Sequence, residues 1–378
     1  MTVLSAVAWG AGAVTAAVGL GALAADVALM RRLVLRGRVK VLPITIDLEQ
    51  RTIHLPASDR TRAPGDYGVW VNDGRGHVRV GAVMHDDHDS VERRIEATRG
   101  DVAEATEGRW TGHAFAHASS LGLAYEDIEV PTEVGQRPAW LFPAGDGRRW
   151  ALHVHGIKSS RASALRSVPI AAELGMTSLV PSFYGDVDED TTLGTGPEGA
   201  TLGLREARDV ERAIAFAVES GAEELVLFGW SMGGTIALLL AESSQYRNLI
   251  TQLVLIGPAV EWEASIERGM AAARLPAWVG PPLFHSLESR WLSRLASMAE
   301  PTSLAHLNWL RGDRPINVST LVLHSAGDRD NDLAESLQME QLNSSTVTVR
   351  EFPPVPHLME WNVHRQLFES VVRDRLRS

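Results

Sequence analysis

The chain contains no cysteine, which excludes disulfides, thiolate catalysis and cysteine-ligated zinc or iron–sulfur centres together. Lysine is nearly missing as well. It occurs only at Lys40 and Lys158, so 34 of the 36 basic residues are arginine, a skew of codon usage rather than of chemistry. Positive charge is in deficit, with 36 Lys and Arg against 47 Asp and Glu, a net charge of -11. An acidic body repels phosphate backbones, so the composition argues against nucleic acid as a partner. What remains is globular in kind: 378 residues, 45% hydrophobic and 22% charged, room for one large domain with additions or for two to three.

The charge is unevenly spread. Residues 1–30 carry only Asp26, whereas residues 31–40 carry Arg31, Arg32, Arg36, Arg38 and Lys40 with no acid, so residues 41–378 hold a net -15. Residues 3–25 contain no charge at all. At about 1.5 Å per residue such a stretch spans about 35 Å as a helix, enough to cross a hydrocarbon core of about 30 Å. The expectation is a single transmembrane anchor helix over 1–30 followed by a basic juxtamembrane segment over 31–40. By the positive-inside rule the body then faces the cytoplasm. A cleaved signal peptide, for which Ala22-Leu23-Ala24 would be the processing site, is the first rival, and a buried soluble helix the second. The length of the run and the lack of a preceding basic residue favour the anchor.

Residues 41–122 read as a small β-rich region. Tyr67-Gly68-Val69-Trp70-Val71 and His77-Val78-Arg79-Val80 flank Asn72-Asp73-Gly74-Arg75-Gly76, a hairpin signal. His85-Asp86-Asp87-His88-Asp89 has no metal-ligand spacing and reads as a solvated loop, so no metal site is assigned. From residue 123 to 378 buried-type strands (150–154, 177–180, 224–228, 252–256, 320–324 and 346–352) alternate with helical stretches (162–174, 202–220, 232–241 and 362–376). That alternation predicts an α/β fold, a mostly parallel central sheet with helices on both faces.

The chemistry concentrates at Leu225-Val226-Leu227-Phe228-Gly229-Trp230-Ser231-Met232-Gly233-Gly234, an apolar strand running into a helix. Gly229, Ser231 and Gly233 make the G-x-S-x-G nucleophile elbow, whose sharp turn needs glycine on both sides. A serine hydroxyl needs a base, and the base needs an orienting acid. Downstream of Ser231, the strand over 320–324 ends in Ser325-Ala326-Gly327-Asp328, and the last strand leads to Pro356-His357-Leu358. Asp328 and His357 are therefore the candidate acid and base. Asp330 and Asp332 compete with the first, and His153, His155, His285, His324 and His364 with the second. For a developing oxyanion, the backbone N–H groups of Met232 and of Ile157, in His155-Gly156-Ile157-Lys158, are the candidate donors. Gly156 would let the backbone approach, and His155 would hold the loop.

These residues resemble the α/β-hydrolase superfamily over roughly 128–376, particularly prolyl oligopeptidase-like peptidases, dienelactone hydrolases and esterases, and also the membrane-anchored hydrolases of actinobacteria. The resemblance implies Ser231 as nucleophile, Asp328 as acid and His357 as base. The usual H-G-x-x-D around the acid reads His324-Ser325-Ala326-Gly327-Asp328, with serine in place of glycine. It also implies a helical cap inserted at 258–317, where Trp262, Trp278, Trp291, Trp309 and Phe284 lie. An apolar cap points to a small-molecule substrate with an apolar acyl group. The expected activity is hydrolysis of a carboxylic ester, or of a thioester or amide, through an acyl-enzyme on Ser231 and with no cofactor. A serine peptidase reading would show itself by an acidic pair near the cap, poised for a peptide amine. A catalytically silent scaffold that binds a lipid or partner is the reading from another class.

Overall fold

In the computed structural model the described residues are 21, 23–35, 40–133, 135–186, 199–311 and 313–377. Most of the uncharged stretch 3–25 lies outside them. Among the described residues no helix is long and apolar enough to cross a membrane. Residues 23–34 form helix α1, and the boundary expected at residue 30 falls inside it. The reason is one apolar face: Met30 and Val34, one turn apart, are buried in the main core, while Arg31 and Arg32 stay exposed.

Residues 41–111 build a seven-stranded antiparallel sheet from β1 (Leu42–Pro43), β2 (Thr45–Asp47), β3 (Thr52–Pro56), β4 (Tyr67–Val71), β5 (Gly76–Asp86), β6 (Ser90–Gly100) and β7 (Glu107–Thr111). Their spatial order is β1-β7-β4-β5-β6-β3-β2, with a short helix α2 (Asp59–Arg62) between β3 and β4. Alternate residues (Ile53 and Leu55, Val69 and Val71, Val78 and Val80) fill its own core, as a period of two requires. The β4/β5 hairpin turns through Asn72, Asp73 and Gly74, all at positive φ. Segment 85–89 is the exposed tip of the next hairpin, β5/β6.

The second sheet has eight strands: β8 (Glu126–Thr132), β9 (Gly135–Phe142), β10 (Arg149–Val154), β11 (Thr177–Pro181), β12 (Glu224–Trp230), β13 (Ile250–Ile256), β14 (Ser319–Ser325) and β15 (Val347–Phe352). Their order is β15-β14-β13-β12-β10-β11-β9-β8, and β9 alone runs antiparallel to its neighbours β8 and β11. Strand residues point alternately into two cores. Leu225, Leu227, Leu253 and Leu255 face one, and Val226, Phe228, Val254 and Ile256 face the other.

Helices α3 (Val168–Glu173), α4 (Leu204–Glu219) and α5 (Met232–Ser243) follow the first strands of this sheet. The helix expected over 162–174 is instead a 3-10 stretch, Arg161–Ser167, leading into α3. Pro169 has no N–H to give a preceding turn, so a continuous α-helix cannot run through it. After β13 come α6 (Trp262–Ala272), α7 (Gly280–Leu287) and α8 (Arg290–Leu295), then α9 (Leu333–Leu342) between β14 and β15. The C-terminal helix divides at His364 into α10 (Glu360–Val363) and α11 (Arg365–Arg377). Helices α4 and α5 cover one face of the sheet, and α3 and α11 the other. Of the four tryptophans at 262, 278, 291 and 309, Trp262 and Trp309 are buried, whereas Trp278 and Trp291 are exposed.

Candidate functional site

Strand β10 has β11 on one side and β12 on the other, so the chain changes winding direction there. Ligands in doubly wound sheets bind at such a point, beyond the carboxyl ends of the strands. Ser231 stands at that edge, between β12 and α5, with φ 54° and ψ -115°. A positive φ is costly for a residue with a side chain, and the packing around it enforces the turn. A Cβ on Gly229 would lie 2.5 Å from the Gly233 carbonyl oxygen. One on Gly233 would lie 2.1 Å from the Val154 carbonyl oxygen in β10. The first glycine thus permits the turn itself, and the second permits the turn to sit against the neighbouring strand.

His357 lies in the loop after β15 and Asp328 in the turn after β14. The structure brings both to Ser231: His357 Nε2 is 2.9 Å from Ser231 Oγ, and His357 Nδ1 is 2.6 Å from Asp328 Oδ2. The other Asp328 oxygen, Oδ1, accepts the backbone N–H groups of Asp330 and Asn331 at 2.9 and 3.0 Å. Of the competing aspartates, Asp330 is exposed and Asp332 caps α9 by accepting from Ala334 N. His324 is buried and lies 3.3 Å from Asp328 Oδ2, with its Nδ1 2.7 Å from Ser336 Oγ, so it backs the carboxylate from behind. His153 is buried between Ser167 and Ser178.

Electrostatics follow from these contacts. Burial opposes the Asp328 charge, but hydrogen bonds from His324 and His357 outweigh it and hold the carboxyl well below the usual range. Burial likewise opposes a charged His357, yet the hydrogen bond and charge of Asp328 prevail, and the imidazole titrates above its ordinary value. Ser325, standing where the family has glycine, has its own work. Its Oγ accepts from Val355 N at 2.7 Å and Gly327 N at 3.0 Å, tying the Asp328 turn to the His357 loop.

His155, Gly156, Ile157 and Lys158 follow β10 directly. A Cβ on Gly156 would lie 3.1 Å from Ser231 Cβ and 3.2 Å from the Trp230 carbonyl oxygen, so any side chain here would crowd the elbow. His155 is buried and stacked on Phe183, with Nε2 2.8 Å from Asp186 Oδ2 and Nδ1 2.9 Å from the Gly156 carbonyl. Met232 opens α5, where the first backbone N–H groups have no partner within the helix. Ile157 lines the same cavity as Ser231 and His357.

Several residues at this site carry weak sequence signals. Asp186 lies beyond the end of β11, as Asp328 lies beyond the end of β14, and the strand-then-aspartate order is its one signal. Gly257, just past β13 with φ +49°, leaves room for the acid and base: a Cβ there would lie 3.1 Å from Asp328 Oδ2. Glu360 is fully buried, accepts from Ser325 N, and is pushed up to about 7 by burial. Helix α1 contributes Leu29, Arg32 and Leu33 to the cavity of about 510 Å³ beside Ser231, and the cap contributes Trp262, Ile266 and Met270. Nothing in a charge-free run followed by arginines announces a pocket wall.

A serine at the apex of a strand–turn–helix, on a doubly wound sheet, is the layout of the α/β-hydrolase class. The chain belongs to the α/β hydrolase family: residues 152–369 match that family's model. Residues 41–111 match a second model, described as a domain of unknown function. No curated protein matches the chain. Among solved structures it is similar to the esterase Pf2001 of Pyrococcus furiosus, at 18% identity and a TM-score of 0.52, over 69% of this chain and 95% of that one. Est1E of Butyrivibrio proteoclasticus is 14% identical with a TM-score of 0.48, over 66% of this chain and 97% of that one. At these identities the likeness is one of fold, and the first structure carries it.

Proposed function

We propose that the protein is a serine hydrolase that cleaves a carboxylic ester through an acyl-enzyme on Ser231. The observation that carries this reading is the unbroken relay from Ser231 Oγ through His357 to Asp328, at 2.9 and 2.6 Å. In the first step Ser231 Oγ attacks the ester carbonyl carbon and His357 Nε2 takes the hydroxyl proton. The tetrahedral oxyanion is met by the N–H groups of Met232 and Ile157. Collapse breaks the bond to the alcohol, which leaves with the proton from His357. A water, deprotonated by the same nitrogen, then releases the acid and restores Ser231. Asp328 stays ionised throughout and holds the imidazole in place.

The cavity also supports an ester rather than a peptide. A peptide amine calls for an acidic pair, and among the described residues lining the cavity Asp330 is the one acid. A silent scaffold would have no need of the elbow's backbone strain at Ser231. We further read residues 3–25 as a single membrane anchor, with the basic residues after it at the cytoplasmic face. The uncharged length and the five basic residues that follow support this.

Fluorophosphonate labelling tests the activity. The full chain is expected to label at Ser231, and Ser231→Ala to lose both the label and p-nitrophenyl butyrate hydrolysis by on the order of 10³-fold or more. An unlabelled wild type, or equal labelling of Ser231→Ala, overturns the reading.

A further inference from the structure

We infer that the substrate is an amphiphilic ester with an apolar acyl part and a negatively charged alcohol part, and that α1 builds one wall of its site. The inference rests on the hydrolase reading above. Its first ground is charge. Four cations line the cavity (Arg32, Lys158, Arg268 and Arg329) against the single acid Asp330, in a chain whose net charge is -11. Arg268 is committed to Glu335, with Nη1 2.5 Å from Oε1. Arg32, Lys158 and Arg329 form no ion pair with any described residue. Lys158 Nζ instead donates to the Arg32 carbonyl at 2.7 Å, which draws the end of α1 to the loop that follows β10. Among the described residues these three cations share the cavity with one acid, Asp330, which leaves an excess of positive charge, and an anion bound there offsets it.

The second ground is where each kind of side chain originates. Lys158 adjoins Ile157 and Arg329 adjoins Asp328, so two of the cations come from the very loops that frame the reacting centre. Ile157 and Leu358 apart, the large apolar lining comes from α1 and the cap. Leu29 and Leu33 stand on successive turns of α1, and Trp262, Ile266 and Met270 on the cap. An acyl chain filling the apolar part leaves the alcohol to the cationic part. The volume of about 510 Å³ lies within the range of roughly 300–1,000 Å³ typical of sites that enclose small molecules. Helix α1 is held to the body on both sides, since Ser286 of the cap donates to Asp26 and Ala200 N donates to the Val34 carbonyl at 3.2 Å.

The test uses the full chain in a neutral detergent and pairs of synthetic esters. Each pair carries the same acyl group on 4-hydroxybenzoate, an anion, and on its neutral methyl ester. At low salt kcat/KM is expected to favour the anionic member about tenfold or more. Raising the salt to about 1 M should shrink that preference, because the Debye length falls to about 3 Å. Lengthening the acyl group from butanoyl to octanoyl should raise kcat/KM by up to about fourfold per methylene. The double variant R32Q/R329Q should bring the anionic-to-neutral ratio to within about twofold of one. A wild type that labels with fluorophosphonate yet shows no anionic preference overturns this inference and leaves the hydrolase reading standing. A wild type that does not label overturns both. Should the double variant fail to fold, the salt series on the wild type decides by itself: a preference that does not move with salt overturns the inference.

Discussion

His357 shows how one contact sets a titration. Its imidazole is half-buried, and the loss of water favours the neutral form, but Asp328 lies 2.6 Å away and remains ionised. The carboxylate wins, and the proton is held to a higher pH than in a free histidine. General-base action requires the neutral ring, so activity is lost as pH falls through the raised value. We therefore predict an acidic limb in the kcat/KM profile centred above 6.5, the ordinary histidine value. In Asp328→Asn the cause of the upward shift is gone, so the limb should move down while kcat falls about 10³- to 10⁴-fold. A limb at or below 6.5 in the wild type would show that another group governs the profile. The same residue-scale reasoning separates Asp328 from its neighbours, which no spacing rule could do. Two backbone N–H groups and two histidines converge on that carboxylate alone.

Between elements, the His357 loop is held by a joint that the two sheets share. Asn362 of α10 donates to the carbonyls of Asp66 and Gly112 in the small domain at 2.5 and 2.9 Å. Its Oδ1 accepts from Arg166, whose guanidinium also reaches the Leu358 carbonyl at 2.7 Å, next to His357. The small antiparallel sheet, whose sequence carries no catalytic motif, thus acts as a brace for the base. Asn362→Ala leaves a buried guanidinium and two carbonyls short of partners, at about 1–3 kcal/mol for each group left unsatisfied. The expected outcome is a lower melting temperature together with a fall in kcat of about tenfold and little change in KM. The split is read from steady-state kinetics on a neutral short-chain ester. A loss confined to melting temperature would reduce Asn362 to a structural tie.

For the whole molecule, the charge balance is a composite of unlike parts: an uncharged N-terminal stretch, a basic segment and an acidic body. If residues 3–25 anchor the protein, the full chain should stay in the membrane fraction through an alkaline carbonate wash. A chain lacking residues 1–22 should be released from it. Full release of the intact chain would assign the stretch to another role.

The strand–helix alternation and the elbow were legible because both depend on neighbours close in sequence: a period of residues on one face, and a turn that only glycines flank. Thus the α/β-hydrolase fold could be read directly from the order of residues. So could the positions of Ser231, Asp328 and His357 just past strand ends. Tertiary structure alone decided the rest. Which of several histidines lies 2.9 Å from Ser231, which aspartate receives four partners, and that residues 29–33, expected to end a membrane-crossing helix and begin its basic flank, wall the cavity are all contacts between segments far apart in the chain. Local propensity says nothing about such pairs, because their distances are set by how sheets and helices pack.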